Sequence, residues 1–283
     1  MIALLLALAL TAPTALAAPL DQPIPDNPCP EGFVYVMSSV RRGETSVGMV
    51  AARLRISPQD LAVMNEFKPG QRLVQGQRVF FCRDERPGSV GRPWRGNLRG
   101  GVNIDANGDG RGCGWVRHDR RVHTWGTPET VAAVSDCLCR YRLTFPDGPD
   151  VSLGDLSRRE GRRLSRHRSH QSGRDVDLGF ITNPPQTNGH FNRRASYRNL
   201  DVEKQWWLVQ CFIDRGDLKY IFIANTPLVA LRKYVGSRQD LEPYLDYFPG
   251  GSRPILSGDR DHRDHIHLRF VCPADDSQCS DRR

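Results

Sequence analysis

The stretch Asp261-His262-Arg263-Asp264-His265-Ile266-His267-Leu268-Arg269-Phe270 alternates polar and apolar side chains from His265 onward. Residues two apart in a strand point to the same face. His265 and His267 therefore share one face, and Ile266 and Leu268 turn to the other, into a core. Such a strand aims two imidazoles rigidly into one cleft. About ninety residues upstream (a separation at which only folding brings groups together) lies a second cluster, His167-Arg-Ser-His170-Gln-Ser-Gly173-Arg-Asp175-Val-Asp177. Gly173 permits a turn, and the alternation of Asp175, Asp177 and Gly179 with Val176 and Leu178 predicts a strand starting near Asp175.

His170, Asp177 and one imidazole of the His-x-His pair are then placed to converge on one divalent ion. Two imidazoles and a carboxylate leave the fourth tetrahedral position of zinc open, which is the arrangement of a catalytic site; structural sites are closed by four protein ligands. Zinc in such a site lowers the pKa of its water towards about 7, and the remaining imidazole is available as a general base. Ser169 stands beside His170 without the Gly-x-Ser-x-Gly turn of a nucleophilic serine.

The 283 residues suffice for one large or two unequal domains, and 39% hydrophobic residues suffice for a packed core. Lys and Arg number 40 against 32 Asp and Glu, a net +8 that favours an acidic partner: nucleic acid, anionic lipid or an acidic wall polymer. No recognised nucleic-acid module appears. Part of the charge is an arginine run before the first cluster: Arg158, Arg159, Arg162, Arg163, Arg166, Arg168 and Arg174. It reads either as a solvated face or as an attractor of carboxylates. Residues 1–17 are apolar and end in Ala15-Leu16-Ala17, as a cleavable secretory signal does, although no Lys or Arg precedes the run. No later run is long enough to span a membrane, so no stable insertion is expected once the signal is cut. Eight cysteines in an exported chain point to disulfides. Cys29–Cys82 would bracket residues 33–82, and Cys272–Cys279 would close a short loop.

Residues 18–32 are Pro-rich and read as a linker. Residues 33–82 read as a β-α-α-β unit. Phe33 to Met37 is a strand, Val47 to Leu54 an amphipathic helix, and Ser57-Pro58 opens a second helix. Turns follow at Gly70 and Gly76, and Arg78 to Phe81 is a closing strand. Residues 83–100, rich in Arg, Gly and Pro, read as a second linker, and 101–283 as the larger domain. Within that domain Asp105 to Gly110 starts like a calcium loop, but Val116 stands where the bidentate Glu should be, so a tight turn is expected. Thr127–Val134 and Val202–Asp214 read as helices, Lys219–Ala224 as a strand. Trp206 and Trp207 are candidates for a substrate groove or for the core.

Two resemblances sharpen these expectations. The Gly43-Glu-Thr45 turn, the helix from Ile56-Ser-Pro-Gln-Asp-Leu61 to Asn65, and Leu73-Val-Gln-Gly-Gln-Arg-Val79 resemble a LysM module, which implies binding of N-acetylglucosamine-containing glycan. Ser169-His170-Gln-Ser-Gly-Arg-Asp-Val-Asp177, with His262-x-x-His265-x-His267 and the following Leu-Arg-Phe-Val-Cys-Pro-Ala-Asp275, resembles the penicillin-insensitive murein endopeptidases. These belong to the group of lysostaphin-type peptidases, D-Ala-D-Ala carboxypeptidases and hedgehog domains. The resemblance implies one zinc ion held by His170, Asp177 and His267, with His265 catalytic, His262 in the active site and His167 close to it. It also implies an α+β catalytic domain with a central antiparallel sheet. The substrate would be peptidoglycan in the periplasm, cut between D-Ala and meso-diaminopimelate. A carboxypeptidase, or a wall-binding protein with an idle metal site, are the alternatives.

Overall fold

The computed structural model describes residues 28–106, 110–120, 122–185, 190–191 and 198–281. The expected signal and most of the first linker lie outside the described residues, as do Asn107 and Asp109 of the 105–110 turn. The part of that turn that is described holds Asp105 in an ion pair with Arg117.

In the N-terminal unit β1 (Phe33–Ser39), α1 (Val47–Leu54), α2 (Pro58–Met64) and β2 (Arg78–Asp84) follow in order. β1 and β2 pair antiparallel from Phe33↔Asp84 to Ser39↔Arg78. Ser46 and Ser57 cap the two helices through their hydroxyls, each satisfying free backbone N–H groups of a first turn. Val40, Val50, Ala51, Leu61, Leu73, Val79 and Phe81 form a separate small core. A core of seven side chains is thin for an independent unit, and Cys29–Cys82 staples it. Asn65 adds a polar clamp: its amide donates to Leu61 O and Phe80 O and accepts from Phe80 N, locking α2 to β2.

The stretch 83–100, expected as a linker, is built structure. β3 (Gly88–Arg92) and β4 (Arg95–Arg99) form a tight hairpin. Its glycines misled the compositional reading, because they serve close backbone approach: a Cβ on Gly96 would lie 2.4 Å from the carbonyl oxygens of Val90 and Arg92. The hairpin leans on the segment before Asp175 through Gln171 N to Pro93 O and Leu98 N to Glu160 O.

There follow β5 (Val102–Asn103), β6 (Trp115–Arg117), β7 (Trp125–Gly126), α3 (Pro128–Thr144), β8 (Val151–Leu153), β9 (Asp175–Gly179), α4 (Val202–Arg215), β10 (Leu218–Ile223), α5 (Asn225–Gly236), β11 (Leu256–Gly258) and β12 (His265–Phe270). α3 runs ten residues past the expected end at Val134, because Leu138 and Tyr141 continue the buried stripe begun by Val131 and Val134. Six strands form one sheet in the order β11-β10-β12-β9-β8-β6. The four central strands are antiparallel, as expected; β10–β11 and β6–β8 are parallel, so the sheet as a whole is mixed.

The sheet has a helix side and a cleft side. Ile266, Leu268 and Phe270 of β12, Val176 and Leu178 of β9, and Ile221 and Ile223 of β10 join Leu138, Tyr141, Trp206 and Phe212 in the main core. The alternate residues of the same strands, His265, His267, Arg269, Asp175, Asp177 and Phe222, therefore project from the other face. Trp206 stacks on Phe248, and Trp207 packs edge-on against Tyr141 and Phe145. Both tryptophans thus belong to the core side.

Cys113–Cys139, Cys137–Cys211 and Cys272–Cys279 complete the pairing, and no described cysteine is free. Cys137–Cys211 ties α3 to α4 inside the core across 74 residues of sequence. Replacing both by serine is expected to cost about 2–5 kcal/mol, since it frees a long loop in the unfolded chain and buries two hydroxyls. Chemical denaturation of the oxidised double variant beside the parent checks this; an unchanged midpoint would refute it.

Candidate metal centre

β9 and β12 place the cluster by register. Their antiparallel pairing sets His267 opposite Asp177 and Arg269 opposite Asp175, on the cleft side of the sheet. His170 arrives from the turn before β9. Its own backbone is left-handed, φ 63°, a conformation disfavoured for a side chain with a Cβ and found where surrounding structure imposes it. Here the imposition is visible: His170 N donates to Asp175 Oδ2 at 2.8 Å and His170 Nδ1 donates to Leu156 O at 2.7 Å. Gly173 completes the turn at φ 75°, against Leu98 of the hairpin.

The donor atoms lie close together. His267 Nδ1 is 2.9 Å from Asp177 Oδ1, His170 Nε2 is 3.3 Å from the same oxygen, and the two nitrogens are 3.2 Å apart. A tetrahedral ion with ligands at about 2.0–2.2 Å holds its donors roughly 3.3–3.6 Å apart. The carboxylate and both rings are buried.

The protons decide what this triangle can hold. His170 Nδ1 faces a carbonyl, so it carries the hydrogen and Nε2 presents a lone pair. His267 Nε2 faces Asp175 Oδ1 at 3.2 Å and donates to it, which leaves a lone pair on Nδ1. Burial opposes charge on Asp177, but the surrounding His170, His265 and His267 hold its carboxyl well below the usual range. Three lone pairs thus meet at one point. Burial likewise opposes charge on His267, yet Asp175 and Asp177 draw its pKa upward. Both effects express one demand, for a positive charge between these atoms. A proton on His267 Nδ1 can supply it, and so can a divalent ion; the donor set of two imidazoles and a carboxylate suits zinc.

A second, looser triangle shares two corners with the first: donor atoms of His167, His170 and Asp177 lie within 4.8 Å of one another. His167 Nδ1 is 3.8 Å from Asp177 Oδ2, and its Nε2 pairs with Asp155 Oδ2 at 2.9 Å. The shorter edges favour the triangle that contains His267.

His265 stands one step away. Its Nδ1 pairs with Asp264 Oδ1 at 2.7 Å, and its Nε2 comes 3.7 Å from Asp177 Oδ1. With Nδ1 donating to Asp264, Nε2 is free to accept a proton. Phe191 stacks on the ring at 5.0 Å. His262 lies over Phe222, with ring centres 5.0 Å from His265 and 5.4 Å from His267. Burial, with His267 and His265 adding to it, pushes its pKa down to about 4, so it is neutral at physiological pH.

Two residues around the triangle escaped the sequence reading. Asp175 is wholly buried and accepts from His170 N, His267 Nε2 and Arg269 Nε, the last at 2.7 Å. It fixes both the backbone of one candidate ligand and the tautomer of another, the usual task of a carboxylate behind a metal-bound histidine. Its signal was the alternation of Asp175 and Arg269 with the cluster residues on neighbouring strands. Asp175→Asn is expected to weaken metal binding about 10- to 100-fold. Competition with a chromophoric chelator measures it; parental affinity in a folded variant would refute it.

The cleft over these groups encloses about 1020 Å³ and is lined by His262, His265, His267, Phe222, Arg269 and Trp94 among others. Trp94, at the tip of the β3–β4 hairpin, also went unread. A neighbouring cavity of about 230 Å³ is lined by His118, His123 and Asp155 among others and shares Arg166 and His167 with the first.

Residues 89–209 match the sequence model of a family described as penicillin-insensitive murein endopeptidase. The match takes in His167, His170, Asp175 and Asp177 and stops short of β12, so His262, His265 and His267 lie outside it. A search of curated proteins found no match.

Proposed function

We propose, from the match of residues 89–209 to the penicillin-insensitive murein endopeptidase family, that the chain is a zinc-dependent enzyme hydrolysing peptide cross-links of peptidoglycan. The observation that carries this reading is the meeting of three lone pairs, from His170, Asp177 and His267, at the floor of an open cleft. Zinc bound by these three residues would supply a Lewis acid that activates water and polarises the scissile carbonyl. His265 accepts the proton of the attacking water at Nε2, with Asp264 steadying the imidazolium through Nδ1, and returns it to the leaving amine. His262, neutral and packed between Phe222 and His265, orients the catalytic ring or the water. His167, fixed to Asp155, borders the site.

The scissile bond in this proposal is D-Ala–meso-diaminopimelate. Residues 33–82 act as a LysM-like module that holds glycan and raises the local concentration of cross-links. Residues 1–17 act as a secretory signal, in keeping with four disulfides and a wall substrate outside the cytoplasm. Among the described residues no helix is long and apolar enough to cross a membrane.

The experiment is mass analysis of peptidoglycan digested by the purified protein. Dimeric muropeptides should become monomers, and a chelator should stop the reaction. Free D-alanine with intact cross-links would instead mark a carboxypeptidase. Zinc uptake without any product would mark a wall-binding protein.

A further inference from the structure

Three guanidinium groups in the cleft have no part in the chemistry above. Arg163, Arg166 and Arg168 come from the loop before β9 and line the same cavity as His265 and His267. All three are exposed, and among the described residues none forms an ion pair. Their neighbours in the arginine run are placed otherwise. Arg174 is fully buried and bound to Ser89, Phe270 O, Ser280 O and Asp281. Arg159 covers the ring of Trp125. Within the run, Arg163, Arg166 and Arg168 are the members that line this cleft.

Guanidinium groups that line one cavity without a counter-charge gain from an anion bound there. Arg stays charged at any physiological pH, and its planar fork matches the two oxygens of a carboxylate. The cleft is also lined by Asp259 and Asp261, from the loop before β12. One loop thus contributes three cations and another two anions to the same cleft, and the imidazoles His265 and His267 belong to the strand the second loop feeds. Arg166 holds the most informative position, because it borders both cavities and precedes His167.

We propose that Arg163, Arg166 and Arg168 form a carboxylate-binding subsite that selects peptides carrying a free carboxylate near the scissile amide and fixes their direction across the site. The proposal rests on the peptidase reading and deepens it by naming the substrate class: acidic, branched or cross-linked peptides whose carboxylates are not amidated.

The test uses the full-length zinc-loaded protein and two synthetic cross-linked peptides, alike except that the carboxylates beside the scissile amide are free in one and amidated in the other. Amidation should lower kcat/KM of the parent about 10- to 100-fold, the range of a hydrogen-bonded charge, chiefly through KM. The Arg163→Gln/Arg166→Gln/Arg168→Gln variant should cleave both peptides equally, at the parent's rate on the amidated one, with zinc content and melting temperature unchanged. Equal cleavage of the pair by the parent, or discrimination surviving in the variant, would overturn the subsite. If the parent cleaves neither peptide, the peptidase reading falls, and calorimetric binding of the same pair then decides the subsite. Tighter binding of the free acid by the parent than by the variant upholds it, and equal binding overturns it.

Discussion

His265→Ala is expected to keep its metal and lose turnover by about 10²- to 10⁴-fold, the usual contribution of a positioned general base. The two halves of this expectation have separate grounds. Retention follows from the distances: His265 Nε2 is 3.7 Å from Asp177 Oδ1, whereas the edges of the His170–Asp177–His267 triangle are 2.9 to 3.3 Å. Loss of turnover follows from the proton. With Nδ1 committed to Asp264 at 2.7 Å, Nε2 is a fixed acceptor at the cleft. A ring that is partly exposed reaches substrate and water more readily than His267, which is buried behind it. Zinc content by atomic absorption, measured beside kcat on a cross-linked muropeptide, separates the halves. If zinc leaves with the imidazole, His265 is a ligand and the division of labour within the pair is wrong. Asp264→Asn should fall between parent and His265→Ala, because the ring keeps its place while its conjugate acid loses its counter-charge.

The sequence carried the strand positions well, because alternation is a short-range signal. β12 begins at His265 and β9 at Asp175, where the polar and apolar residues start to alternate. Caps were equally local: Ser57-Pro58 and Thr127-Pro128 open helices in the structure. What was lost depends on distant partners. The Arg-Gly-Pro stretch around Trp94 has no periodicity of its own, and its hairpin exists because it packs on Glu160, Gln171 and the C-terminal loop. That loop, closed by Cys272–Cys279, accepts from Gly91 N through Gln278 O and from Ser89 N through the Asp276 carboxylate. Composition alone reads such a segment as a linker. Asp175 was passed over for a related reason. A carboxylate two residues from a candidate ligand looks redundant until β12 is laid beside β9 and sets Arg269 opposite it. The arginine run shows the same limit, since Arg174 as buried clamp, Arg159 as aromatic cover and Arg163, Arg166 and Arg168 as cleft wall are told apart only after folding.

Chelation should lower the melting temperature of the parent and leave that of His170→Ala unchanged. A ligand that binds only the folded state stabilises it by about 2.7 kcal/mol when its free concentration is 100 times Kd, and removal forfeits that gain. His170 is the informative position because its Nε2 has nothing else to do. Its Nδ1 is already satisfied by Leu156 O, and the distances from Nε2 to His267 Nδ1 and Asp177 Oδ1 join lone pairs. His170→Ala removes one corner of the triangle and is expected to abolish both zinc binding and cleavage. It keeps the Asp175–Arg269 pair and the close approach of His267 Nδ1 to Asp177 Oδ1. Because residue 170 has a positive φ, His170→Gly serves beside it to separate backbone strain from ligand loss. Both variants should be metal-free, and the glycine form should be the more stable of the two. The opposing account is a purely hydrogen-bonded cluster in which His267 carries an extra proton towards Asp177. That account requires a melting temperature of the parent indifferent to chelators at neutral pH, together with full activity in the chelator's presence. Either result would remove the metal from the centre of the molecule.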